Sequence, residues 1–145
     1  MKLVFRKAKR EDVDGIVNLC NEIFSENTKY EVALERFIET ENDSNQIYLV
    51  GLIDEEIVAF TKITIIPTIF DSMSKYAILN HVCVKENIRE HKIGTKMLNV
   101  VEDICKKRGC DSLKLWSRNF RVAAHACYKK FGFILDDAGF FYKDI

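Results

Sequence analysis

Proline is almost missing from this 145-residue chain, which has one, and glycine is sparse at six. Disordered and linker-rich proteins need far more of both, so those architectures are excluded and one domain over residues 1–145 is expected. No excess of charge is present either: 22 Lys+Arg stand against 22 Asp+Glu. The strongly basic footprint of a protein that coats nucleic acid or lies on a membrane is therefore lacking, and neither partner is expected. No apolar run approaches the roughly 18 residues of a membrane span. The opening MKLVFRKAKRED turns charged before the apolar stretch of a leader can build. No C-x-x-C pair occurs among Cys20, Cys83, Cys105, Cys110 and Cys127. Three of these, Cys20, Cys105 and Cys127, fall at apolar positions of helical patterns. That points to reduced, buried thiols in a cytoplasmic protein rather than to disulfides or a metal site.

What is there is a hydrophobic fraction of 48%, and its spacing sets the elements. Residues 2–6 read as a short strand. From Glu11 to Phe24 the stripe Val13, Ile16, Val17, Cys20, Ile23 and Phe24 predicts an amphipathic helix with acidic residues in its first turn. A shorter helix fits Glu31 to Glu39. Ile47–Ile53 and Ile57–Ile66, joined at Asp54-Glu55-Glu56, read as a hairpin rich in β-branched residues. After a loop at 67–74, Tyr76–Val84 is apolar on both faces, as a central strand would be. The clearest stripe, Ile93, Met97, Val100, Val101, Ile104 and Cys105, marks a helix from Lys92 to Arg108 that Gly109 stops. Leu113–Trp116 reads as a strand with Trp116 in the core, Arg121–Phe131 as a helix, and Phe133–Tyr142 as a closing strand or hairpin. The order describes an α/β (α+β) domain on a mixed sheet.

The segment from Val82 to Thr95 carries the chemistry. It joins a buried strand through a short loop to the start of the longest helix. A helix start presents free backbone N–H groups and partial positive charge, and Gly94 lets a ligand approach the backbone closely. Arg89, His91, Lys92 and Lys96 surround it with donors, so a diphosphate is the ligand that the local physics favours.

These residues resemble the GNAT superfamily of acyl-CoA-dependent N-acyltransferases. Arg89-Glu90-His91-Lys92-Ile93-Gly94, preceded by Val82-Cys83-Val84, is similar to the family signature R/Q-x-x-G-x-G/A after a V-x-V strand. Lys92 departs from it, standing where the family has its first motif glycine. Near the end, Arg121-Val-Ala-Ala124-His125 through Tyr128 to Gly132-Phe133 resembles R-x-x-A-H-x-F-Y-x-x-x-G-F. The opening Arg6 to Asp12 before an amphipathic helix also looks like the family's.

The resemblance implies a mixed, mostly antiparallel twisted sheet flanked by about four helices, acetyl-CoA as co-substrate, and no metal. It implies that the backbone of Val82, Cys83 and Val84 pairs with the pantetheine arm. Arg89, Glu90, His91, Lys92, Ile93, Gly94 and Thr95 would hold the pyrophosphate. Tyr128 matches the tyrosine that gives a proton to the departing thiolate, a task that suits a phenol of pKa near 10. Many members carry an Asn where this chain has Arg121, with Asn119 two residues earlier, so either side chain could touch the cofactor. Family members also often dimerise, so a homodimer is expected.

A general base is harder to place. Members often have a Glu on the strand before V-x-V, where this chain has Ile78 and Asn80. Asn80 could orient the amine or a water. His81 falls on the opposite face by strand alternation unless a bulge re-aims it, and reads as a buried structural histidine. Glu22, Glu26 and Glu56 are further candidates that the sequence does not choose among. The resulting expectation is an acetyl-CoA-dependent N-acetyltransferase acting on a small-molecule or peptide amine by direct transfer in a ternary complex. The alternative is a CoA-binding sensor of the same fold with little transferase activity.

Overall fold

The computed structural model describes residues 2–145, apart from the side chains of Arg89, Glu90 and His91. In chain order the elements are β1 (Leu3–Lys7), α1 (Val13–Phe24), α2 (Tyr30–Thr40), β2 (Gln46–Ile53), β3 (Glu56–Pro67), β4 (Lys75–Val84), α3 (Ile93–Lys107), β5 (Ser112–Leu115) and α4 (Val122–Phe131). The strands form one sheet in the order β1-β2-β3-β4-β5. All neighbours run antiparallel except β4 and β5, which are parallel and joined through α3. This is the mixed, mostly antiparallel sheet with four helices that the motifs imply.

Where both faces of the sheet are covered, at residues 49–53 and 58–61, the strands are buried without alternation, whereas residues 62–66 alternate. On one face Ile93, Met97, Leu98, Val101 and Cys105 of α3 pack on Leu49, Ile63, Ala77 and Leu79. Tyr128 and Phe131 of α4 lean on the same cluster. On the other face Ile16, Leu19 and Cys20 of α1 cover Val50, Leu52, Phe60 and Cys83, and Val13 and Val17 meet Phe37 of α2. Burying each large side chain stabilises the fold by roughly 1.5–3 kcal/mol. The start of α1 is tied to β1 by Asp12, whose carboxylate accepts from Arg6 Nη1 at 2.6 Å and from the Lys9 N–H at 2.7 Å. Gly109 ends α3 in the left-handed region, φ 80°, as its position predicts.

Two expectations fail. Trp116 is not core: it is 55% exposed just beyond the end of β5. No strand forms over Phe133–Tyr142 among the described residues; the chain after α4 carries Ile134, Phe141 and Tyr142 exposed. Apolar residues 133–135 and 140–142 flank a turn-forming Asp136-Asp137-Ala138-Gly139, as in a hairpin, but a two-stranded ribbon without a neighbour is marginal in water.

Candidate active site

The site arises where β4 changes partners. Phe60 faces Cys83 and Lys62 faces Asn80, so between them Thr61 alone opposes both His81 and Val82. The extra residue makes a β-bulge, and His81 takes the left-handed conformation, φ 54°, to form it. Thr61, fully buried, donates its hydroxyl to the Asn80 carbonyl at 3.0 Å, replacing a ladder bond that the bulge breaks. On its other side β4 pairs with β5 only as far as Leu79 with Leu115. Beyond that pair the two strands have no register. Lys85 gives its N–H to the Val58 carbonyl on the β3 side, so by strand alternation the peptide of Val82 turns to the side that β5 has left.

A cleft of about 550 Å³ opens there. Its floor is Leu79, Asn80, His81 and Val82. One wall is the end of α1, from Ile23 to Glu26. The other runs from Leu115 through Ser117 and Arg118 to Phe120, Arg121 and Tyr128. Ser25 ends α1 in the left-handed region, φ 53°, turning Glu26 toward β4, where its carboxylate meets His81 Nε2 at 3.0 Å. Phe24 stands edge-on to the His81 ring at 5.0 Å between centroids, and Arg121 lies over the other ring at 4.6 Å. Tyr128 is half-buried, and burial pushes its hydroxyl above the ordinary tyrosine range, with Arg121 opposing. The phenol therefore keeps its proton through neutral pH, as a proton donor must.

Of the residues singled out in the sequence, Asn80, Val82, Arg121 and Tyr128 come together in this cleft, while Asn119 is not part of its lining. Cys83 points the other way, into α1, with its sulfur 3.8 Å from that of Cys20. Contact with Cys20 and burial hold it as a neutral thiol, so only its backbone could serve a ligand. At the start of α3, Lys92 takes the left-handed conformation, φ 56°, which is the one a glycine would offer at that motif position. No side chain caps the helix, and the first intrahelical bond is from Lys96 N–H to the Lys92 carbonyl at 3.1 Å. The peptides of Ile93, Gly94 and Thr95 precede it. A Cβ at Gly94 would sit 3.7 Å from Val84 and 4.0 Å from Cys127, so the helix start lies between the end of β4 and α4. The side chains of Arg89, Glu90 and His91 lie outside the described residues.

Three features go beyond the sequence reading, which left His81 dependent on a bulge and Glu26 among three candidates. His81 is not buried and does not face away, because the bulge re-aims it into the cleft. Glu26 emerges from the three candidate glutamates, whereas Glu56 is paired with Lys85. Ser117, also lining the cleft, has a buried hydroxyl with no partner, an unspent polar atom for a ligand. Among the described residues no group of three or more His, Cys, Asp or Glu is placed to hold a metal, and no helix is long and apolar enough to cross a membrane.

Residues 13–133 match the model of the acetyltransferase (GNAT) family. The fold is similar to that of a transcriptional regulator from Bacillus halodurans C-125, with a TM-score of 0.90 and 22% identity over 99% of this chain and 100% of that one. It is also similar to glucosamine-6-phosphate N-acetyltransferase from Arabidopsis thaliana, with a TM-score of 0.84 and 20% identity over 99% of both chains. A predicted acetyltransferase from Clostridium acetobutylicum, solved with acetyl-CoA, gives 0.80 and 18% over 98% of this chain and 96% of that one.

Proposed function

The chain belongs to the GNAT acetyltransferase family and is an N-acetyltransferase; we propose that it moves the acetyl group of acetyl-CoA directly to a primary amine while both are bound where β4 and β5 part. The observation that carries this reading is the conjunction at that point: a bulged strand with an open side, an uncapped helix start, and a proton-holding Tyr128. Acetyl-CoA supplies an activated thioester and a sulfur leaving group. The peptides of Lys92, Ile93, Gly94 and Thr95, with Arg89, Glu90 and His91, hold its pyrophosphate. The backbone of Val82, Cys83 and Val84 takes the pantetheine arm as an added strand, flanked by Arg121 and Asn119. The Val82 N–H faces the developing oxyanion, Asn80 orients the amine, and Tyr128 protonates the departing sulfur. The acceptor is a small-molecule or peptide amine. Balanced charge supports neither nucleic acid nor membrane as partner, and unpaired cysteines suit a cytoplasmic setting.

Isothermal titration of the reduced protein with acetyl-CoA, beside 3′-dephospho-CoA and ATP, tests the site, and release of free CoA with a panel of amines tests the reaction. Micromolar binding that needs the pantetheine arm, followed by turnover, is expected. Tight binding without turnover of any amine would favour a sensor of the same fold. No binding would overturn both.

The unpaired segment after α4 supports a pairing of two copies. The outer edge of β5 has no strand beside it among the described residues, and a groove of about 450 Å³ opens there, lined by Cys105, Cys110, Leu113, Phe131 and Phe133 among others. Each copy thus carries an open edge and, after α4, an exposed aromatic run Phe140-Phe141-Tyr142 that could add to one. Exchange between two copies covers both reciprocally. Light scattering should give twice 16.9 kDa, and Phe141→Asp should return the single mass. A full chain that is monomeric at micromolar concentration would overturn the pairing.

A further inference from the structure

We propose that His81 is the general base of the transfer and that Glu26 is the residue that positions it. The proposal rests on the acetyl-transfer reading above and adds the proton acceptor which that reading lacks.

Geometry comes first. The imidazole reaches the cleft only because His81 adopts φ 54° in a two-against-one bulge. A left-handed non-glycine residue is strained. Its ion pair with Glu26 does little to offset this, because the two side chains are 43% and 38% exposed and exposed pairs contribute little. The strained conformation sits at the cleft floor, beside Asn80 and Val82 and across from Tyr128. Stability does not explain it; placement of the ring does.

The hydrogen bond then fixes which nitrogen can work. A carboxylate only accepts, so Nε2 is the donor to Glu26 at 3.0 Å. In the neutral ring that leaves Nδ1 with a lone pair to take a proton. Phe24, edge-on to the ring, restricts its rotation. The charged and titratable groups lining the cleft around it are Glu26 just after α1, Arg118 and Arg121 between β5 and α4, and Tyr128 of α4.

A primary amine, with pKa near 10, arrives as an ammonium ion with no lone pair. His81 Nδ1 takes one of its protons and later releases it to water. The amine nitrogen then bonds to the thioester carbonyl carbon, and the C–S bond breaks as Tyr128 gives its proton to the sulfur. The nitrogen sheds a second proton as the amide forms, which restores the Tyr128 hydroxyl. One acetyl group moves, one free thiol appears, and one proton goes to solvent.

Asparagine tolerates the left-handed region, so His81→Asn keeps the bulge while removing the base. With an amine from the panel that the wild type acetylates, it should lower kcat at pH 7 by about 100- to 10,000-fold and leave acetyl-CoA binding by titration unchanged. The deficit should shrink as pH rises toward the amine's own pKa. Glu26→Ala should lower kcat at pH 7 with acetyl-CoA binding unchanged, whereas Glu26→Gln, whose amide oxygen still accepts from Nε2, should keep more of it. A His81→Asn enzyme that binds acetyl-CoA and matches the wild-type kcat and pH profile would overturn the assignment alone. A wild type that turns over no amine would remove the transfer reading and this inference together.

Discussion

One strand, β4, holds two regimes. From Tyr76 to Leu79 it is paired on both sides, Ala77 and Leu79 are buried, and no backbone angle is unusual. From Asn80 to Val84 it keeps one neighbour, carries the bulge, and places Asn80 and His81 in an exposed cleft. The change comes within one residue, where β5 stops. The first half does the work of the core, and the second gives up pairing and ideal geometry to present a peptide edge and an imidazole. Local strain at the second half is tolerated because the first half over-determines the strand.

The largest effect that would sharpen this contrast is expected from Ile63→Ala. Ile63 is fully buried directly opposite Leu79. Truncating it should cost about 2–5 kcal/mol in urea unfolding, with kcat per folded molecule unchanged. A small loss would mean that the paired half does not anchor the strand.

Tyr128→Phe should do the reverse. Removing one positioned proton donor should lower kcat by about 10- to 1,000-fold, or roughly 1.4–4 kcal/mol of barrier. The ring keeps its packing against the core and its edge contact with Phe133 at 5.8 Å, so stability should stay within about 0.5 kcal/mol. An unaltered rate would remove Tyr128 from the mechanism.

Activity and stability should also separate on the pH axis, because one contributor to acid-sensitive stability, Asp12, sits outside β4 and outside the cleft lining. The Arg6 guanidinium holds the Asp12 carboxyl below its ordinary value of 3.8, with burial opposing. A depressed carboxylate contributes stability above the unfolded pKa and loses it as pH falls through the lower folded value. Asp12→Asn should therefore cost about 1–2 kcal/mol at pH 7, limited because Arg6 is 34% exposed, and flatten the stability profile below about pH 4. A variant with the wild-type acid profile would place the acid sensitivity elsewhere.

How much of this was legible follows the same division. The stripes of α1 and α3 named most of their buried residues, because a helix on a covered sheet must bury one face, but they missed Leu19 and Leu98 and took in the half-buried Ile23, Phe24, Val100 and Ile104. Gly109 announced its own turn. The strands fell within a residue or two for the matching reason. The bulge had no signature, because nothing in Asn80-His-Val-Cys-Val84 demands an extra residue; the buried Thr61 hydroxyl and the end of β5 place it. Glu26 could not be chosen before Ser25 turned the chain. Phe133–Tyr142 shows the opposite failure: a readable pattern without the neighbour that would make it a strand.

The smallest expected effect is the most direct on the contrast, because it changes sign between the halves. In ordinary strand, glycine is less stable than alanine by about 0.5–1 kcal/mol, so Ile78→Gly should fall below Ile78→Ala by that amount. At position 81 the left-handed backbone penalises alanine by about 1 kcal/mol and glycine not at all. His81→Gly should therefore be as stable as His81→Ala or more so, although both lose the imidazole. Urea midpoints of the four variants decide it. If alanine wins at both positions, the backbone at 81 relaxes without cost, and the bulge is held by something other than a conformation enforced by the paired half.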